Sequence, residues 1–223
     1  MSTLVKMNEE MARELFEEFA PMFARLEEQG TDYCLVGGLA VVAHCLAQGS
    51  NRLRATTDAD LMVPESYSNQ DFAADYLKVY AANPDVTKAI YEALLGDDGF
   101  EQLGEGDAAF VNASFVGADP DIDGADSPDF DVCRILNGRS LGTIKRQRLT
   151  IFGNEIWVAT IPELLSMKRD TIALYGGDPA TYPREQDFID VRTLESLEGD
   201  DAGKESISSK LIGRVSSLLG DSK

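Results

Sequence analysis

The sequence predicts an α/β protein of the α+β kind, in which a short mixed β-sheet is flanked by helices and followed by C-terminal helices. Three observations indicate this class. The chain opens with an amphipathic helical pattern, its strand-like apolar runs are short, and these runs do not alternate steadily with helices. Because a doubly wound parallel sheet requires that steady alternation, a doubly wound fold is disfavoured.

The first half of the chain contains three predicted helical or helix-like stretches and two predicted strands. An apolar stripe at helical spacing defines the first helix, which Gly30 ends. The residues of that stripe are Met11, Leu15, Phe19, Met22, Phe23 and Leu26. The predicted elements are Asn8–Gln29, Asp32–Val36, Leu39–Leu46, Ala59–Val63 and Asn69–Leu95, the last with a break at Asn83-Pro84.

The second half is predicted to hold the remaining strands and then only helices. Thr160, Pro162 and Glu163 form a capping-box pattern that opens a helix reaching about Leu174. The other predicted elements are strands Ala108–Val116 and Phe130–Leu136, an acidic loop Gly117–Pro128, a hairpin of Arg148–Ile151 and Glu155–Ala159, a helix Arg184–Leu197, a linker Glu198–Lys204 and a helix Ile207–Leu219. We therefore expect one domain over residues 1–160, with a helical region over 161–223 packed on it.

The charge balance of the 223 residues is strongly acidic. Twenty basic residues face 39 acidic ones, which gives a net charge of −19. That excess disfavours a broad basic surface for duplex nucleic acid. A local basic pocket stays open as an alternative, because Arg52, Arg54, Lys145, Arg146 and Arg148 are close in sequence. Adaptation to salt would explain the acidity equally well.

The cysteines and the N-terminal segment indicate a reducing compartment. Cys34, Cys45 and Cys133 are odd in number and lie in apolar runs without a CxxC spacing, so we expect buried, reduced thiols. The N-terminal residues contain no apolar signal core, and the chain contains no apolar stretch of membrane-spanning length. We therefore expect a cytoplasmic protein with no membrane partner.

Two aspartates at the start of the second predicted strand form a candidate metal site. Asp58 and Asp60 are two residues apart, so their side chains share one face of the strand. Asp131 lies between two apolar residues in a later strand, where a carboxylate is costly unless it is paired or binds a metal. Each motif also has a plainer interpretation: Asp58 and Asp60 as a cap or a solvated strand end, and Asp131 as a residue at a solvated sheet edge.

Gly37 and Gly38 connect the first predicted strand to the apolar helix. Glycine lets the backbone approach a phosphate, and a helix N-terminus presents free N–H groups to it. A tight strand-to-helix connection is the plainer explanation of this pair.

Taken together, these motifs resemble the polymerase-beta-like nucleotidyltransferase superfamily. The resemblance consists first of the Gly-Gly helix start, the pattern Arg54-x-Thr56-x-Asp58-x-Asp60 and Asp131 between apolar residues. Two later motifs, both on predicted helices, complete it: Leu-Leu-x-x-Lys, whose lysine is Lys168, and Arg184-x-x-Asp187-x-x-Asp190. It covers about residues 36–194 and is nearest to small bacterial and archaeal nucleotidyltransferases, which include abortive-infection and toxin–antitoxin enzymes. Gln186 stands where that family usually has lysine, and residues 69–129 match no pattern of the family.

The resemblance implies a nucleotidyltransferase fold, an NTP substrate and Mg²⁺ or Mn²⁺ as cofactor. It implies transfer of a nucleoside monophosphate to an acceptor hydroxyl with release of pyrophosphate. The implied metal-binding and catalytic residues are Asp58, Asp60 and Asp131, of which Asp131 helps activate the hydroxyl. The implied nucleotide-binding residues are Gly37, Gly38, Arg54, Thr56 and Lys168. Arg184 and Asp187 are implied to form a structural ion pair that supports the site without contacting the nucleotide. A pair of Arg54 with Asp58 is an open alternative.

The acceptor and the activity itself stay open in the sequence. Acceptor candidates are a tRNA end, a small-molecule hydroxyl such as that of an antibiotic, or a protein Ser, Thr or Tyr, and a cognate antitoxin is a further candidate partner. Two other hypotheses are a nucleotide-binding or toxin–antitoxin protein without turnover, and an interaction protein whose only feature is its acidic surface. Binding of NTP, and release of pyrophosphate, separate the three.

Overall fold

A computed structural model of the chain describes residues 7–80, 111–112, 128–174 and 185–199. Five α-helices lie in these ranges: α1 (Glu9–Gln29), α2 (Gly37–Ala47), α3 (Asn69–Tyr80), α4 (Ile161–Leu174) and α5 (residues 185–199). The predicted helical residues 81–95, most of the strand 108–116, the acidic loop up to residue 127, Arg184, the linker from residue 200 and the helix 207–219 lie outside the described residues.

The centre of the fold is a mixed six-stranded sheet. The described residues contain eight strands, of which six form this sheet. They are β1 (Cys34–Val36), β2 (Asp58–Met62), β3 (Val111–Asn112), β4 (Asp129–Cys133), β5 (Ile135–Leu136), β6 (Arg139–Ser140), β7 (Arg146–Ile151) and β8 (Asn154–Ala159). The sheet order is β3-β4-β2-β1-β8-β7, while β5 and β6 form a separate two-stranded ribbon. Strand β2 runs parallel to β4 and antiparallel to β1, and β8 runs parallel to β1. The structure therefore confirms the predicted fold class.

Aromatic side chains on α1, α3 and β4 pack against one face of the sheet. Phe130 of β4 is fully buried, with its ring centroid 4.9 Å from that of Phe19 and 5.8 Å from that of Phe72. Tyr76 lies edge-on to the same ring at 6.0 Å. Burial of one such side chain stabilises the fold by about 1.5–3 kcal/mol. Because successive strand residues face opposite sides, this packing directs Asp131 to the other face, which carries α2.

Helix α1 has the predicted ends but a shifted apolar face. The Asn8 side chain accepts a hydrogen bond from the Met11 N–H at 2.8 Å, and Gly30 ends the helix in the left-handed conformation with φ +69°. The prediction that Met11 and Leu15 belong to the buried stripe was wrong for Met11, which is 41% exposed, while Leu15 is half-buried. Phe16 is buried instead and packs edge-on against Phe152.

One predicted strand is divided in the structure. The run Phe130–Leu136 forms β4 and β5, separated at Arg134, whose Nε donates a hydrogen bond to the Tyr67 carbonyl at 2.8 Å. Strand β5 then pairs with β6 through a turn at Asn137-Gly138, where both residues have positive φ. That pair of conformations is the one a two-residue hairpin turn needs. The predicted hairpin of β7 and β8 is confirmed, with its turn at Phe152-Gly153.

The buried cysteines agree with the prediction of reduced thiols: Cys34, Cys45 and Cys133 are all free and buried. Within the ranges that the structure covers, no helix combines the length and the apolar character that crossing a membrane requires.

Candidate functional site

The site lies where three neighbouring strands β4, β2 and β1 meet helix α2. Strand β1 is antiparallel to β2, so the end of β1 lies beside the start of β2, and Val36 pairs with Asp60. The two glycines that follow Val36 therefore lie next to the aspartates of β2. Strand β4 is parallel to β2, with Asp60 directly paired to Asp131. Sheet topology thus brings together residues that are far apart in sequence.

Three carboxylates converge on one side of this sheet. One carboxylate oxygen each of Asp58, Asp60 and Asp131 lies within 4.8 Å of the others. The register explains this convergence, because direct partners in neighbouring strands share a face and residues two apart on a strand do so as well. Asp131 therefore lies on an interior strand, half-buried beside Asp58 and Asp60, and not at a sheet edge.

The surroundings of Asp60 shift the pKa of its carboxyl group. Burial raises the pKa of Asp60 to about 6, and the charges of Asp58 and Asp131 add to that increase. The Lys168 ammonium and the backbone N–H of Gly38, which donates a hydrogen bond to the carboxylate, act in the opposite direction on this pKa. In such a place, repulsion among the carboxylates favours protonation of one of them unless positive charge lies nearby.

The two glycines are required by different neighbours. Gly37 has φ +62°, and a Cβ there would overlap the Asp60 carboxyl. At Gly38 a Cβ would overlap the Arg54 guanidinium and lie 3.0 Å from the Thr56 hydroxyl oxygen. Glycine at these positions therefore lets the site's own side chains approach the start of α2. The prediction that Gly37 and Gly38 hold phosphate stays a prediction.

Thr56 and Arg54 precede β2 and contact different carboxylates. The Thr56 hydroxyl donates a hydrogen bond to Asp58 at 2.8 Å and so orients it. Arg54 Nε lies 3.0 Å from an Asp190 oxygen, and its Nη1 donates to the Ala55 carbonyl at 3.0 Å. The ion pair that the structure gives Arg54 is thus with Asp190 of α5, and the alternative pair with Asp58 is not the one seen.

Lys168 of α4 contacts two carboxylates of α5. Its Nζ lies 2.6 Å from Asp187 and 3.0 Å from Asp190. The Lys168 side chain is only 14% exposed, and those of Asp187 and Asp190 are 6% and 1% exposed. Asp187 was predicted to pair with Arg184, which lies outside the described residues; the structure shows its pair with Lys168.

Asp190 is the residue of this site to which the sequence analysis gave no role. The signal was present, because Asp187 and Asp190 are three residues apart and such a spacing puts two side chains on one face of a helix. What the spacing does not reveal is the partner of that face. The partners come from α4 and from the segment before β2, and only the packed structure places them there.

The donor set suits a hard divalent cation. Carboxylate oxygens are the ligands that Mg²⁺ and Mn²⁺ prefer, and the three aspartates present them within 4.8 Å of one another. Burial, and then the charges of Asp58 and Asp131, raise the pKa of Asp60, and a bound cation would relieve the repulsion among these charges. Asp58, Asp60 and Asp131 therefore fit a metal ion. Among the described residues, they form the cluster of acidic side chains that could hold one.

The short mixed sheet, the Gly-Gly start of α2 and the three converging aspartates are the features that the sequence resemblance led us to expect together. No protein-family model matches the sequence, and no curated protein matches it at a significant level.

Solved structures do match. An antigenic nucleotidyltransferase-like protein from Paracoccidioides brasiliensis superimposes with a TM-score of 0.50 at 17% identity, over 83% of this chain and 77% of that one. The antibiotic-resistance factor ANT(2'')-Ia gives a TM-score of 0.45 at 13% identity, over 93% and 98% of the two chains. The first likeness shows that this chain shares the fold of nucleotidyltransferase-like proteins.

Proposed function

We propose that the protein is a divalent-metal-dependent nucleotidyltransferase, which transfers a nucleoside monophosphate from an NTP to an acceptor hydroxyl and releases pyrophosphate. The observation that carries the proposal is the convergence of Asp58, Asp60 and Asp131 beside the start of α2, in a chain with the nucleotidyltransferase fold. Assignment to the toxin–antitoxin branch and to a particular acceptor stays a prediction from sequence.

Charge explains why such a site would work with a metal. The carboxylates of Asp58, Asp60, Asp131, Asp187 and Asp190 outnumber the two cations Arg54 and Lys168 that lie among them. A triphosphate would be repelled by this surplus of negative charge. Mg²⁺ or Mn²⁺, held by Asp58, Asp60 and Asp131, would supply the compensating charge for the phosphates and the acceptor oxygen.

The chain's own residues would orient the reaction. In the transfer, the acceptor oxygen forms a bond to the α-phosphorus while the bond from that phosphorus to the bridging oxygen breaks, and pyrophosphate leaves with that electron pair. Asp131 would take the proton of the acceptor hydroxyl, since it borders the site on the strand next to β2. Thr56 would keep Asp58 in place through its 2.8 Å hydrogen bond. The start of α2 would face the phosphates.

The substitution Asp58→Asn tests the proposal. It keeps the size of the side chain and its contact with Thr56 but removes one carboxylate of the three, so transfer should fall by at least about 100-fold while the fold is retained. The assay incubates the protein with each labelled NTP, Mg²⁺ and a cell extract, and it measures pyrophosphate release and labelled product.

Asp32→Asn is the matched control, because Asp32 precedes β1 at the end away from the site and its side chain is 64% exposed. It should leave transfer unchanged. Full transfer by Asp58→Asn would refute the catalytic role of the three aspartates. NTP binding by the wild-type protein without any pyrophosphate release would favour the nucleotide-binding protein without turnover.

A further inference from the structure

Four charged side chains, of which two are buried and two are half-buried, link helix α5 to the site. Arg54, Lys168, Asp187 and Asp190 come from the segment before β2, from α4 and from α5. Asp190 is central, because its two oxygens lie 3.0 Å from Arg54 Nε and 3.0 Å from Lys168 Nζ.

The position of Arg54 needs a nearby negative charge. Its guanidinium lies directly over Gly38, at the start of α2. The N-terminal end of a helix carries partial positive charge, which disfavours a cation at that place. Asp190 supplies the opposite charge from a side chain that is 1% exposed. The attraction between Asp190 and Arg54 therefore offsets the repulsion that Arg54 meets at the helix end.

The two ion pairs of Asp190 are poorly aligned for a purely structural role. Neither the Asp190 oxygens nor Arg54 Nε meet hydrogen-bond geometry, although the ion-pair distances are short. Buried ion pairs without well-aligned hydrogen bonds stabilise a fold little, and apolar residues in their place are often neutral or stabilising. What the cluster does achieve is to keep two cations next to the three aspartates.

We propose that Asp190 is a positioning residue of the nucleotide site: its carboxylate holds the Arg54 guanidinium over Gly38 and, with Asp187, holds the Lys168 ammonium near Asp60. Helix α5 thereby sets the positive side of the site, opposite the three aspartates, where the phosphates of an NTP would lie. This inference rests on the proposed function, because it assumes that these two cations face a triphosphate.

The test compares two buried aspartates that differ in what they hold. Asp190→Asn removes the charge that holds Arg54 and Lys168. Asp75→Asn is the matched control: Asp75 is 5% exposed and accepts hydrogen bonds from Arg25, Gln29 and Tyr67 on the α1–α3 side of the sheet. Thermal unfolding first establishes a temperature at which all variants are folded.

At that temperature, calorimetry measures binding of the α,β-methylene analogues of ATP, CTP, GTP and UTP with Mg²⁺. Asp190→Asn should weaken binding of the preferred analogue at least tenfold, whereas Asp75→Asn should change it by less than about twofold even if it is less stable. Wild-type affinity in a folded Asp190→Asn variant would overturn the positioning role and leave the proposed function intact. Absence of analogue binding by the wild-type protein would overturn both.

A second comparison keeps the proposal testable if Asp190→Asn does not fold. Asp190→Glu retains the charge but moves the carboxylate by one methylene, so a positioning role predicts weaker analogue binding in a folded protein. In the Arg54→Met background, the change at Asp190 should cost less affinity than it does in the wild type, because part of its action passes through Arg54. Equal losses in both backgrounds would contradict that route.

Discussion

Two adjacent glycines at the start of α2 have different physical reasons to be glycine. Gly37 adopts φ +62° and leaves room for Asp60, while Gly38 leaves room for the Arg54 guanidinium. Gly49 has a similar φ of +69°, but a Cβ there would meet nothing within 4 Å. The comparison of Gly37 with Gly49 therefore separates the cost of backbone conformation from the cost of displacing a site residue.

Gly37→Ala should reduce both stability and metal binding, whereas Gly49→Ala should reduce stability alone. The left-handed conformation costs about 1–2 kcal/mol for a residue with a Cβ, and both variants share that cost. Only at Gly37 would the added methyl also displace the Asp60 carboxyl. Urea unfolding measures the stability, and calorimetric titration with Mn²⁺ measures the metal affinity. Equal effects of the two substitutions on Mn²⁺ affinity would show that Asp60 does not depend on the space at Gly37.

At the scale of elements, α1 is helical through a proline that should weaken it. Pro21 lies inside the helix and is exposed, so it removes a helical N–H without adding buried surface. Its neighbours in α1, among them Phe19, Met22 and Phe23, are buried in the hydrophobic core. Tertiary burial thus outweighs a local preference against helix in this segment.

Pro21→Ala should therefore stabilise the protein by about 1–3 kcal/mol, since it restores a helical hydrogen bond at an exposed position. Thermal and urea unfolding measure the change. Glu17→Ala, at another exposed position of α1, serves as the control and should stay within about 0.5 kcal/mol of the wild type. If Pro21→Ala were no more stable than Glu17→Ala, the proline would have to be accommodated by α1 without cost.

At the scale of the whole molecule, the net charge of −19 is not offset by a basic pocket in the described part. The arginines that are close in sequence contact different partners in the structure and do not form one pocket among the described residues. Arg146 pairs with Asp32, Arg148 pairs with Glu27 and Glu155, Arg52 donates to Ser196, and Arg54 pairs with Asp190. Arg146 and Arg148 are thus balanced locally by acidic partners, and an anionic ligand would gain little from these two cations.

Binding of an NTP should therefore require a divalent cation. Removal of divalent metal with EDTA should weaken NTP affinity at least tenfold, because the triphosphate would meet the carboxylates of the site uncompensated. Calorimetry with and without Mg²⁺ measures this, and NaCl at matched ionic strength separates specific metal binding from general screening. NTP affinity that is equal in EDTA and in Mg²⁺ would contradict the assignment of Asp58, Asp60 and Asp131 as metal ligands.

The spacing of residues within single segments was sufficient to predict several strand faces, helix ends and turns of this protein. Strand alternation put Asp58 and Asp60 on one face and set Asp131 opposite to its apolar neighbours, and caps and turns located the ends of α1 and of the β7–β8 hairpin. The face that Met11 would occupy and the division between β4 and β5 were predicted wrongly, because each depends on what packs or pairs with that segment. The domain division at residue 160 stays a prediction.

What the sequence determined by itself was a set of candidate site residues and the strand face of each aspartate, because side-chain direction follows from local backbone geometry. The pairing of those residues was decided by the tertiary structure. Arg54 and Lys168 lie beside the three aspartates but are held by Asp190, and that arrangement exists only when α4 and α5 dock beside the segment before β2. Periodicity in one segment carries no information on which distant charge will meet it, since charge pairing depends on distance in space and burial rather than on spacing in sequence.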